Sequence, residues 1–146
     1  MEPADAEHLH HLLMDLVRAA GLLQPDRTVP GHAISMSQAF ALHELDRGTA
    51  LSQQELADRL RLEKSSVSRM AAEMERKGLL VRERVAHDQR QYRLRLTDLG
   101  RAVHADMAAA FHDQFQHWAA TMTRPERTAL LTGLPALIRV IRQHGG

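Results

Sequence analysis

One change of period limits this fold more than any other feature. Apolar residues recur at three- and four-residue intervals through most of the chain, but between Gly78 and Thr97 they alternate. In "QYRLRL" the residues Tyr92, Leu94 and Leu96 share one face, and Gln91, Arg93 and Arg95 share the other. The segment Leu80 to Val85 can pair with it, and "AHDQ" supplies the turn. The chain is therefore expected to be mainly α with one small β-hairpin. That hairpin is unusual in charge, because residues 82–100 carry five arginines against three carboxylates.

The helical periods on either side have readable boundaries. A first helix is expected from about residue 5 to 23, with Leu9, Leu12, Leu13, Leu16, Val17, Ala20 and Leu23 in register. Ser35 with Gln38, and Ser52 with Glu55, have the spacing of capping boxes for a second and a short third helix. A fourth, from about 64 to 77, is expected to bury Val67, Met70, Ala71 and Met74 and to stop at Gly78, the residue best suited to a left-handed C-terminal cap. Thr97 and Asp98 begin a long fifth helix reaching about Met122, with Val103, Met107, Phe111, Phe115, Trp118 and Met122 on one stripe. Thr123 and Glu126 cap a sixth that carries Leu130, Leu134, Ile138 and Ile141, with a kink expected at Pro135.

Composition excludes whole classes of chemistry. With no cysteine among 146 residues there is no disulfide scaffold, thiolate metal site or thiol redox switch, and a cytoplasmic location is the simplest expectation. No segment approaches the roughly 20 apolar residues of a membrane span. There is no Gly-rich phosphate loop, nucleophile elbow or H-E-x-x-H, so no enzyme is expected, and no cofactor. The net charge of +1 hides an asymmetry: residues 51–97 hold 11 Lys and Arg against 7 Asp and Glu, and the rest of the chain is acidic. A basic middle points toward a polyanion.

A short helix, a tight turn, a second helix and a basic hairpin make a winged helix-turn-helix. The major groove of B-DNA admits the second helix, and a narrow ribbon beside it can reach the backbone or the minor groove. Lys64, Ser65, Ser66, Ser68 and Arg69 lie away from the apolar face of that helix. Arg69 has the fork that reads guanine O6 and N7, a contact worth about 1–3 kcal/mol against a wrong base, with phosphate contact as the alternative. In the hairpin, Asp88 and Arg90 form a D-x-R pair in which the carboxylate can hold the guanidinium for insertion into a narrow minor groove. Arg82, Arg84, Arg93 and Arg95 complete the basic set, and Arg93 and Arg95 are expected to touch phosphate or solvent rather than bases.

Residues 51–100 resemble the MarR family of bacterial transcription regulators. The most specific match is D-x-R followed by L-x-L-T and G, present as Asp88, Arg90, Leu94, Leu96, Thr97 and Gly100, and "KGLLVRE" fits as well. The resemblance implies a single MarR-like domain over 1–146, with a winged helix-turn-helix lobe at about 35–97 and dimerisation helices at about 5–23 and 98–143. It further implies a homodimer on a pseudo-palindromic operator in double-stranded DNA, usually as a repressor relieved by a small molecule. The terminal helices support the dimer independently, since they bring more apolar side chains than the lobe can cover.

Leu12, Leu16, Phe40, His43, Met107 and Phe111 are candidates for lining a crevice, which the resemblance implies would take an aromatic or phenolic effector, with ordinary core packing as the alternative. Ten histidines keep a metal-responsive regulator open as a second reading. Zinc-responsive relatives, however, place ligands at positions matching Phe40, Met107 and Phe111, all apolar here, and no metal site is expected. A winged helix used only for protein contacts is a third reading, separable by the salt dependence of DNA binding.

Overall fold

The computed structural model describes residues 2–22 and 31–145, with the side chains of Gln89 and Arg90 left out. The chain forms two compact units, Met1–Ala105 and Asp106–Gly146.

The first unit begins with α1 (Pro3–Ala19), which buries none of its residues and leaves Leu9, Leu12, Met14 and Leu16 about half exposed. Leu23, expected at its end, lies outside the described residues. Next comes α2 (Met36–Asp46), capped by Ser35, whose Oγ accepts from the Gln38 amide at 3.2 Å. The expected reciprocal bond is not made. Gln38 is buried, and its side-chain oxygen accepts instead from Lys77 Nζ at 3.1 Å, so a cation distant in sequence satisfies the oxygen that the N-terminus of α2 does not use.

Two residues at Leu51–Ser52 form β1, an element too short to show alternation. The helix α3 (Gln53–Leu60) follows at once, with Ser52 Oγ accepting from the Glu55 amide at 3.0 Å. Then come α4 (Lys64–Arg76), β2 (Leu80–Val85) and β3 (Asp88–Leu96). The sheet has three strands in the order β1-β3-β2, not the two of a simple hairpin. Leu51 pairs with Leu94, while Leu80 and Arg82 pair with Leu96 and Leu94. The hairpin turn is tighter than "AHDQ", because Asp88 already pairs with Val85, and the register shifts between Arg84 and Val85.

Helix α4 ends in a Schellman arrangement. Leu79 N–H reaches the Met74 carbonyl, Gly78 N–H reaches that of Glu75, and Gly78 takes φ +78°. The core lies among α2, α3, α4 and the sheet, where Leu42, Leu51, Leu56, Val67, Met74, Leu80 and Leu94 are fully buried. Met70, expected in this core, is only half-buried.

The fifth helix, α5 (Asp98–Thr121), runs from the first unit into the second. In the second unit it is followed by α6 (Arg124–His144), which is unbroken through Pro135. Their junction is capped on both sides. Thr123 and Glu126 exchange both bonds of a capping box, at 3.4 and 2.7 Å, and Arg127 donates to the Ala119 and Met122 carbonyls at the end of α5. No residue of α6 is buried, and Leu131 is 77% exposed. Among the described residues no helix is long and apolar enough to cross a membrane.

Candidate nucleic-acid interface

The turn between α3 and α4 is built by Arg61, the non-glycine residue at φ 55°. Its amide bonds to the Asp58 carbonyl and that of Leu62 bonds to the Ala57 carbonyl, closing α3 so that α4 departs in a new direction. Val67, Ala71 and Met74 bury one face of α4. The opposite stripe, Ser65, Arg69, Ala72 and Arg76, is exposed at helical spacing, with Lys64 exposed at the helix start. Ser66 and Ser68 are half-buried at its margin. Among the described residues Arg69 has no side-chain partner, so its fork stands free. Arg76 was not singled out from the sequence, although two helical turns from Arg69 place it on the same stripe.

The hairpin arginines stand differently, since each described one has an intramolecular partner. Arg84 lies over the Tyr92 ring at 5.2 Å. Arg93 donates to the Ala50 carbonyl at 3.2 Å and stands 3.8 Å from Glu55, whose carboxylate does not close its capping box. Arg95 bonds to Glu83 across the strands. Arg93 and Arg95 nevertheless keep about half their side-chain surface in solvent, and such exposed pairs are weak enough to exchange partners. Arg82 is turned inward against α4, with a side chain 25% exposed. Asp88 opens β3 and is half-buried, whereas the side chain of Arg90 lies outside the described residues.

The residues proposed for an effector crevice fall in both units. In the first, Leu12, Leu16 and Phe40 are more than half exposed, and His43 is exposed with its Nδ1 3.4 Å from His104 Nε2. His104 Nδ1 in turn meets Asp46 Oδ2 at 3.1 Å, forming a polar chain between α2 and the start of α5. In the second unit Met107 is buried and Phe111 half-buried. None of the six lines either of two cavities. One, of about 140 Å³, lies beside Asp46, Thr49, Arg95 and Arg101, and the other, about 500 Å³ and open, lies beside Trp118, Met122 and Leu130. Among the described residues no three His, Asp or Glu side chains gather as metal ligands.

A short helix, a left-handed turn, an exposed helix face and a basic three-stranded wing define a winged helix-turn-helix protein. Residues 34–91 of the chain match the model of the MarR family. It is 32% identical over 98 residues to a protein of Thauera aromatica named as a transcriptional regulatory protein for the hcr operon. The match covers 67% of this chain and 59% of that protein, so it spans less than two thirds of the relative's length. The fold is that of Streptococcus pneumoniae FabT, solved in complex with DNA, at TM-score 0.81 and 17% identity over 94% of this chain and 98% of that one. It is also similar to Streptomyces coelicolor PcaV, a transcriptional regulator solved with its natural ligand, at TM-score 0.75 and 27% identity over 97% and 96% of the two chains.

Proposed function

We propose that this chain is a transcription regulator that binds a pseudo-palindromic operator in double-stranded DNA as a homodimer, represses from it, and is released by a small aromatic or phenolic molecule. No catalytic step is involved. The observation that carries the reading is Arg69, on the exposed face of α4 and without a side-chain partner among the described residues, beside a basic wing on the same lobe. In this reading α4 enters the major groove with Lys64, Ser65 and Arg69 toward the bases, and Ser66 and Ser68 sit at the edge of the contact. Arg84, Arg93 and Arg95 follow the phosphates, and Asp88 and Arg90 at the hairpin tip approach the minor groove. The half-exposed apolar residues of α1 and α6 support the dimer, because a surface of this extent is unfavourable in water unless a partner covers it.

The DNA complex of FabT and the ligand complex of PcaV show that proteins of this fold include DNA binders and ligand binders. The reading is tested by selecting bound fragments from a genomic library with the purified protein. An inverted repeat with half-sites about one helical turn apart is expected. Recovery of no enriched sequence at low salt would defeat it.

A further inference from the structure

We propose that Arg82 is a positioning residue that locks the wing to the recognition helix, and is not a phosphate contact. The proposal rests on the DNA-binding reading above and assigns a different task to one of its arginines.

The strand register forces the geometry. Arg82 pairs directly with Leu94, and cross-strand partners share a face, so Arg82 projects toward the side on which Leu94 is fully buried. A guanidinium on the core side of a sheet must find acceptors there, since burying an unpaired charge is costly. It finds them on α4. Its Nη2 donates to the Ser68 carbonyl at 3.2 Å, and its Nε lies 4.0 Å from Glu75 Oε1. The backbone N–H of the same residue donates to Glu75 Oε2 at 3.3 Å. Nε itself is buried and makes no hydrogen bond, while the Arg82 side chain as a whole is 25% exposed, so this guanidinium is turned largely away from solvent.

Ser68 and Glu75 are seven residues apart, two turns along one face of α4. One residue of β2 thus holds the recognition helix at two points, one of them next to Arg69. Two attachments spaced along a helix restrain both its sliding and its rotation against the strand. The wing tip and the exposed face of α4 must reach different parts of one duplex at a set separation, and a fixed angle between them removes an ordering cost from binding. Lysine cannot replace arginine here, because a single ammonium lacks the planar fork that reaches the carbonyl and the carboxylate together.

The test compares Arg82→Lys, Arg82→Met and Glu75→Ala with wild type by titrating the selected operator over a range of salt concentrations. For a phosphate contact, lysine would serve, Arg82→Met would lower the slope of log K against log salt by about one, and Glu75→Ala would tighten binding by removing a negative charge. For the brace, the expectations are opposite. Arg82→Lys and Glu75→Ala each lose about tenfold or more in affinity, and the salt slope stays at the wild-type value. Wild-type affinity for Arg82→Lys, or a slope reduced by about one in Arg82→Met, overturns the proposal. Hydrogen exchange of the amides of residues 80–85 without DNA gives a readout independent of the ligand. Exchange accelerated about tenfold in Arg82→Lys is expected, and unchanged exchange overturns the brace. Should wild type bind no duplex, the DNA reading fails while the exchange result still decides whether Arg82 couples β2 to α4.

Discussion

Gly100 packs so closely on Leu79 that a Cβ at position 100 would overlap the Leu79 carbonyl oxygen and stand 3.0 Å from its carbon. The approach is held by Thr97, whose N–H donates to that same Leu79 carbonyl at 3.1 Å. The Thr97 hydroxyl donates to the Gly78 carbonyl at 2.5 Å and accepts from the Gly100 amide at 3.0 Å. The end of the recognition helix and the start of α5 are therefore joined through a threonine and a glycine. Gly100→Ala is expected to cost about 2–3 kcal/mol, the upper range for forced overpacking, because the atom in the way is backbone. Urea unfolding followed by circular dichroism measures this, and an unshifted midpoint would show that the joint can spread.

That joint also shows what the sequence can and cannot convey. Leu96, Thr97 and Gly100 were recognisable as a motif, yet nothing in their spacing revealed that the glycine is demanded by Leu79, a residue 21 positions earlier. The same limit applies to the caps. Three Ser or Thr residues stood three positions before Glu or Gln, and all three hydroxyls do accept the expected amide, but only Thr123 and Glu126 exchange both bonds. Gln38 bonds to Lys77 and Glu55 stands near Arg93, residues distant in sequence. Alternation located the hairpin and its apolar face but missed β1, since two residues carry no period. Charge grouped Arg82 with the other hairpin arginines, and only the strand register reveals that it shares the face of Leu94.

The surviving capping box should make the α5–α6 junction acid-sensitive. The Glu126 carboxyl is held below its ordinary value of 4.5, first by the backbone N–H of Thr123 and then by the Thr123 hydroxyl. A depressed carboxylate contributes stability above its ordinary value, and loses it as pH falls through the lowered one. Glutamine can still cap but carries no charge. Wild type should therefore melt above Glu126→Gln at neutral pH, with the gap closing as pH drops below 4.5. Calorimetry across that range decides the matter, and a gap independent of pH would remove the carboxylate from the account.

Arg69 and Arg90 should fail in different ways. Arg69 has no side-chain partner among the described residues and lies on the exposed face of α4, so Arg69→Ala is expected to relax base preference at one position per half-site and to cost about 1–3 kcal/mol on the preferred sequence. In the proposed reading Arg90 approaches the minor groove from the hairpin, and a guanidinium placed there senses groove width rather than base identity. Arg90→Ala should weaken binding about tenfold or more, chiefly where the flanking minor groove is narrow. Random-site selection with each variant separates the two, and identical sequence profiles for Arg69→Ala and wild type would exclude base reading by Arg69.

Leu130, Leu134, Ile138 and Ile141 recur along α6 at helical spacing, and each keeps between 42% and 51% of its surface in solvent. Covering a Leu or Ile side chain contributes about 1.5–3 kcal/mol, so a two-fold partner that hides this stripe in both copies supplies a large driving force. A carboxylate in the stripe would be desolvated in each copy without a partner. Ile138→Glu should therefore give a monomer by light scattering at concentrations where wild type is a dimer, with the circular dichroism of the helices retained. The monomer should bind a full operator far more weakly, because the recognition helices of two copies are no longer tethered and the second half-site loses its local concentration. A monomeric wild type, or an Ile138→Glu protein that remains dimeric, would place the partner surface elsewhere.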